Sequence, residues 1–183
     1  MGLPRNLLVA TLVLCPAIVA CSSTSKYGHA PDYAPLDDEA AATRGATDYD
    51  PVMALRMPEQ WGSTPVRLFG GVKRGTPGPG PDTTLMLSVR TLAPRNLCDN
   101  ETPESCRVTV SDREFDTIRA VVRMPAEQLT GDEGLGSGSL VRLVGKLEPD
   151  PERPNHPLMR ATWHRHWPSG FYVTEASRSS MRR

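Results

Sequence analysis

Residues 74–82 read RGTPGPGPD, three prolines interleaved with three glycines. Proline lacks the backbone donor that a helix needs, and glycine in a helix interior costs about 1 kcal/mol relative to alanine, so no helix runs through this tract. It reads as a turn between two elements. On its N-terminal side lies VRLFGGVK, residues 66–73. On its C-terminal side TTLMLSVRTL, residues 83–92, sets Leu85, Leu87 and Val89 on one face at a period of two. Two extended runs joined by a forced turn predict a β-hairpin. The same punctuation recurs along the chain: 18 Pro and 15 Gly in 183 residues are roughly 18% against about 12% in average proteins, which argues against an all-α bundle.

Four further stretches fit short strands. In CRVTV, residues 106–110, Val108 and Val110 alternate with polar residues, and in TIRAVVRM, residues 117–124, Ile118, Ala120 and Val122 oppose Arg119, Val121 and Arg123. SLVRLVGKL, residues 139–147, alternates Val141, Leu143 and Leu147 with Arg142 and Lys146, and the chain ends in the pair LMRATWHRHW and GFYVTEA. PAEQLTG, residues 125–131, reads as one short helix with proline in its first turn. Glycines at 70, 71 and 145 fall inside strands, where a small barrel must bend or bulge. Three or four strands, a helix, then two strands resemble the OB-fold, a five-stranded Greek-key barrel. The expectation is a mainly β, OB-like barrel of five to six strands over residues 61–176, followed by a flexible basic tail at 177–183.

The N-terminus carries a different signal. Residues 1–5 supply one positive charge, and residues 7–20 are apolar apart from Thr11 and Pro16. A spanning helix needs about 20 apolar residues, so this run has the length of a signal-peptide core and residues 1–20 read as an export signal. The tetrad Ile18-Val19-Ala20-Cys21 resembles the bacterial lipobox, in which the cysteine sulfur takes a diacylglycerol through a thioether and becomes the first residue of the mature chain. The resemblance implies a lipidated Cys21 and a membrane partner, with Cys15 discarded. A cut after Ser22 would instead release a soluble secreted protein. Ser22 in place of Asp at the next position resembles the outer-membrane choice of Gram-negative lipoproteins, which implies an anchored protein facing the periplasm or the cell surface.

Residues 22–60 hold three basic and seven acidic residues, and from Ser22 to about Asp50 there are almost no aliphatic ones. Residues 21–60 therefore read as a lipidated cysteine followed by a disordered acidic tether. About 30 such residues span roughly 30 Å as a coil. Tyr27, His29, Tyr33 and Tyr49 punctuate this segment, and scattered aromatics in a linker are incidental more often than not. Taken together, the lipobox, the Pro-containing tether, VRLFGGVKRG, TTLMLSVRTL, GSLVRLVGKL and the Trp/His-rich strand resemble the Slp-type outer-membrane lipoproteins.

In the mature chain Cys98 and Cys106 remain, flanking a polar loop. In an exported protein such a pair is most simply a disulfide, worth roughly 2.5 kcal/mol on the chain-entropy model. In ATWHRHW, His164 and His166 share one face of a strand with Thr162, while Trp163, Arg165 and Trp167 take the other. Two histidines can supply two metal ligands, but a site needs a third. The plainer expectation is two solvent-facing histidines, with the tryptophans packed on the core.

No catalytic set stands out, and no cofactor is implied. Residues 61–183 hold 17 basic and 14 acidic residues, too mixed a balance to argue for nucleic acid. Arg119, Arg123, Arg142 and Arg160 could form a basic face, but charges at alternate strand positions are ordinarily the wet side of a sheet. The chain reads as a non-enzymatic binding or assembly module in the cell envelope with a protein partner there. The alternative is a small metal-binding envelope protein or enzyme using His164 and His166.

Overall fold

A computed structural model of the chain describes residues 33, 35–78, 80–93, 108–124, 126–129, 131 and 134–176. In chain order its elements are helix α1 (Asp37–Ala42), strand β1 (Thr47–Asp48), helices α2 (Pro51–Arg56) and α3 (Pro58–Ser63), then strands β2 (Val66–Pro77), β3 (Asp82–Arg90), β4 (Thr109–Val110) and β5 (Asp116–Arg123). A 3-10 turn, Ala126–Leu129, precedes β6 (Leu140–Pro149), β7 (Pro157–Trp167) and β8 (Val173–Thr174). Among the described residues, no helix is long and apolar enough to cross a membrane.

The long strands close on themselves. Their order is β2-β3-β5-β7-β6, and β6 pairs back onto β2. As the five strands of a barrel, they are ordered one-two-three-five-four. The third and fifth are parallel where residues 119–121 meet 158–160, and the other pairings are antiparallel. With the short turn between the third and fourth strands, this is the OB-like barrel expected from the strand pattern. Period-two alternation built it: Leu85, Leu87, Val89, Ile118, Ala120, Val122, Val141, Leu143 and Leu147 all turn inward and form one buried cluster with Met159. The stretches around 109 and 173 do not enter the barrel. β4 and β8 form a separate two-stranded sheet.

Two bulges set which side chains face out. Between Val72 and Arg74 the β2–β3 register slips, leaving Lys73 as the extra residue. Between Val144 and Gly145 the partner on β7 jumps from Trp163 to Ala161, so Thr162 is the extra residue there, and its hydroxyl donates to the Val144 carbonyl at 3.2 Å. At this crossing only glycine fits position 145, because a Cβ would lie 2.1 Å from the Arg160 carbonyl oxygen. Strand β2 also runs further than the Pro-Gly tract implies. Thr76 and Pro77 still pair with Thr84 and Thr83, and the turn is closed by the Gly78 N–H donating to the Asp82 carbonyl at 2.8 Å, with Gly80 at φ 73°. Proline is tolerated here because the strand is an edge, where a missing donor breaks no ladder.

The expected disordered tether is corrected over its described part. From Leu36 to Gln60 the chain is folded onto the barrel: the Asp50 carboxylate caps α2 by accepting from the Val52 and Met53 N–H groups, prolines start α2 and α3, and β1 lies parallel to the beginning of β2. This acidic stretch is held by long-range hydrogen bonds together with Ala54, Tyr49 and Trp61 packed on the core. The Tyr49 hydroxyl donates to Asp116 at 2.8 Å, Tyr49 and Trp61 pack edge to face, and Glu39 is fully buried. Composition measures the apolar surface that can be buried and is blind to such contacts.

Candidate ligand groove

Because Leu85 and Leu87 face the core, Thr84 and Met86 of β3 face out. They form the floor of a groove of about 500 Å³, within the size range of small-ligand sites. The β2–β3 hairpin gives one wall, through Arg74, Thr76, Pro77 and Gly78, and Arg119 of β5 with Glu152 and Arg153 of the β6–β7 loop give the other. Across the sheet the residues stand in rows. Arg74 opposes Met86, which opposes Arg119, and Thr76 opposes Thr84, which opposes Val121.

The β6–β7 loop is folded around Asp150. Its carboxylate has no exposed side-chain surface; one oxygen accepts from Arg119 at 2.6 Å and from the Glu152 N–H at 2.9 Å. The Asp150 N–H donates to the His156 carbonyl, and the Asp150 carbonyl accepts from the Arg153 N–H. Asn155 completes the bend at φ 64°, a conformation that asparagine tolerates better than most residues. The loop thus presents two charges with different fates. Glu152 pairs with Arg119 at 2.6 Å. Arg153 is held by neutral acceptors, the Thr117 carbonyl at 3.0 Å and the Met86 sulfur at 3.9 Å, and has no ion pair among the described residues.

Beside the groove, a polar cluster ties the sheet together. Glu114 accepts from the hydroxyls of Thr117 at 2.6 Å and Ser88 at 2.7 Å and from Lys73 at 2.9 Å. These bonds, that from Thr117 first, hold its carboxyl down at about 2. Ser88 is buried and donates to a carboxylate rather than to a histidine, so the cluster braces the sheet and does not arm a nucleophile.

The four arginines considered as one basic face are separated by the barrel. Arg119 lies in the groove, and Arg123 is exposed at the end of β5. Arg160 is paired with Glu148 at 2.6 Å. Arg142 sits on the outer face of β6, where Glu39 of α1 accepts from it, from the Tyr33 hydroxyl and from Arg165 at 3.0 Å. The rings of Tyr33 and Phe69 lie 5.2 and 5.0 Å from the Arg142 guanidinium, and Trp167 lies 4.7 Å from that of Arg165. Burial, followed by the Glu39 hydrogen bond, pushes the Tyr33 phenol well above its ordinary range.

His164 and His166 share a face, as expected, but it is not the solvent face. They pair with Leu143 and Val141, two core residues, because the extra Thr162 reverses the alternation after Ala161. Trp163 and Arg165 turn to the outer face, with the Trp163 indole donating to Asp38 at 3.1 Å, and Trp167 on the same face is buried in a second apolar cluster with Phe69, Val108, Val110 and Leu140. The expectation of solvent-facing histidines is therefore corrected, since both are half-buried, while that of core-packed tryptophans holds for Trp167 and not for Trp163. Burial, then His166, lowers the His164 pKa. Among the described residues, no three His, Cys, Asp or Glu side chains converge as a metal site. Cys21, Cys98 and Cys106, and the tail at 177–183, lie outside the described residues.

Sequence reasoning missed Arg74, Met86, Arg153 and Asp150 as site residues. Thr84 and Met86 were readable as the outward phase of a strand whose inward phase was assigned. Arg153 sits in EPDPERPNHP, a tract that looks like any polar loop until its closure is known. No protein-family model matches the chain, and no curated protein matches it.

Proposed function

We propose that this protein is a non-enzymatic binding module of the cell envelope, anchored through a lipid on Cys21 and presenting the groove over Thr84 and Met86 to its ligand. The observation that carries the binding reading is the groove itself: about 500 Å³, floored by a rigid sheet and walled by a hairpin and a loop held by buried Asp150. Preorganised walls lower the ordering cost of binding. The anchor rests on the residues 1–21 pattern. Eleven residues separate Cys21 from Tyr33, which already packs against Glu39 and Phe69, and they reach at most about 40 Å. The barrel therefore works close to the surface that holds it.

Two experiments test this reading. The Cys21→Ala precursor is expected to leave the membrane fraction, and retention there would remove the lipid anchor. A photo-cross-linking residue at Thr84, in intact envelopes, is expected to give a discrete product that Met86→Trp abolishes and that the same residue at Val52, on the exposed side of α2, does not give. Equal products at both positions would remove the groove.

A further inference from the structure

Building on the binding reading, we infer that the groove's ligand is an extended acidic peptide segment, added as a strand to the free edge of β2 with its carboxylates directed to Arg74 and Arg153. The edge comes first. Pairing of β2 with β6 ends at Gly71 opposite Leu140, and the last backbone bonds on that side join Val72 to Gly138 and Ser139. Beyond them, past the bulged Lys73, residues 74–77 pair with β3 on one side and with nothing on the other among the described residues, and all four are exposed. Every second residue of such an edge turns its N–H and C=O outward, the template that strand addition uses.

Charge selects what can pair there. Arg74 is the edge member of the row Arg74–Met86–Arg119 and makes no ion pair among the described residues, so a residue facing it on an added strand is its direct cross-strand neighbour. Opposite charges in that relation attract and like charges repel. Arg119 is already committed to Asp150 and Glu152, whereas Arg153 stands half-buried over Met86 with neutral partners. A half-buried guanidinium without a carboxylate gains most from an anionic partner. Thr76 and Thr84 add hydroxyls along the second row, and no aromatic ring lines the groove. A base or sugar ring therefore finds no stacking platform, and the recognisable features that remain are an extended backbone and its carboxylates.

The test is fluorescence anisotropy with the full mature chain and a labelled peptide of five Glu-Thr repeats. Binding is expected to weaken by at least about tenfold when Gln replaces Glu, and by a similar factor when Pro replaces Thr, which keeps the charge but removes the strand donors. Arg153→Gln and Arg74→Gln are each expected to weaken it about tenfold with the unfolding midpoint unchanged. Undiminished binding of the Glu-Pro peptide, or complete displacement by inorganic phosphate at matched charge, would overturn strand addition in favour of a simple anion site. If no peptide binds while the Thr84 cross-link persists, the ligand class is wrong and the groove stands. If the cross-link is lost as well, the binding reading itself falls.

Discussion

Two outer faces of one barrel carry arginines at alternate strand positions, and they end up in opposite conditions. On β6 and β7, Arg142 and Arg165 lie under the N-terminal segment, each about 10% exposed, around a Glu39 carboxylate with no exposed surface. On β3 and β5, among the described residues, only the β6–β7 loop reaches over the sheet, and the cations line an open groove. The difference lies in what arrives from elsewhere in the chain. A carboxylate more than 100 residues distant pairs with both cations of the first face, while the second face receives its carboxylates from a neighbouring loop that gives them to Arg119 and leaves Arg153 without one. A row of charges at period two is the wet side of a sheet only until another segment lies on it.

The largest expected effect is on the covered face. Glu39→Ala removes the shared acceptor and leaves two nearly buried guanidiniums facing each other. Breaking a buried pair from one side costs about 3–5 kcal/mol, and urea denaturation reads it directly. A loss below about 1 kcal/mol would mean that this face is not sealed by charge and that the contrast between the faces is false.

Next comes the device that places Arg165 on that face. Gly145→Ala puts a Cβ where the Arg160 carbonyl oxygen sits, and the strands must part or the bulge must move. Overpacking of this kind costs about 1–3 kcal/mol. If the bulge shifts, Trp163 and Arg165 exchange faces with His164 and His166. Tryptophan emission should then change along with stability, whereas unchanged emission with full stability would remove the role assigned to the bulge.

A third effect separates the faces by pH. The Glu114 carboxyl, which braces the open face, sits at about 2 in the folded chain against an ordinary 4.5. A depressed folded value means that the unfolded chain takes up the proton first. The contribution is present above about 4.5 and is lost as pH falls toward 2. Wild type should therefore exceed Glu114→Gln in stability near neutral pH, and the gap should close on acidification through that window. A gap that stays constant with pH would assign the difference to packing rather than to the carboxylate. Because Glu114 is over a third exposed, solvent screens the effect, and it is smaller than the two before it.

What was legible in the chain divides along the same line. The inward phase of β3, β5 and β6 could be read from Leu85, Ile118, Leu143 and their period-two neighbours, because burial on one face writes alternation directly into the sequence. The phase of β7 after Ala161 could not be read, since a bulge adds a residue without changing composition, and the glycine that permits it sits on the other strand. The N-terminal segment was misread for a related reason. Glu39 and Tyr49 act through hydrogen bonds to residues more than 60 positions away, and no local window contains both partners. The groove was half legible: its floor follows from the strand phase, but the loop that places Arg153 over Met86 becomes visible only when the barrel closes.

The smallest effect is also the most discriminating. Arg153→Gln removes a cation that is bonded to a carbonyl and a sulfur, not to a carboxylate, so no buried counter-charge is orphaned. Stability should change by no more than about 0.5 kcal/mol, the range of substitutions that break no buried network. Arg142→Gln on the covered face is chemically the same change, yet it takes a donor from buried Glu39 and a cation from between two rings. Hydrogen bonds to charged groups are worth about 1.5–3 kcal/mol, so parallel unfolding curves of the two variants should differ clearly. If they coincide, the two faces are energetically alike and the open one has no claim to be the site kept for a ligand. If they separate as expected, the open face holds a charge that the fold itself does not need.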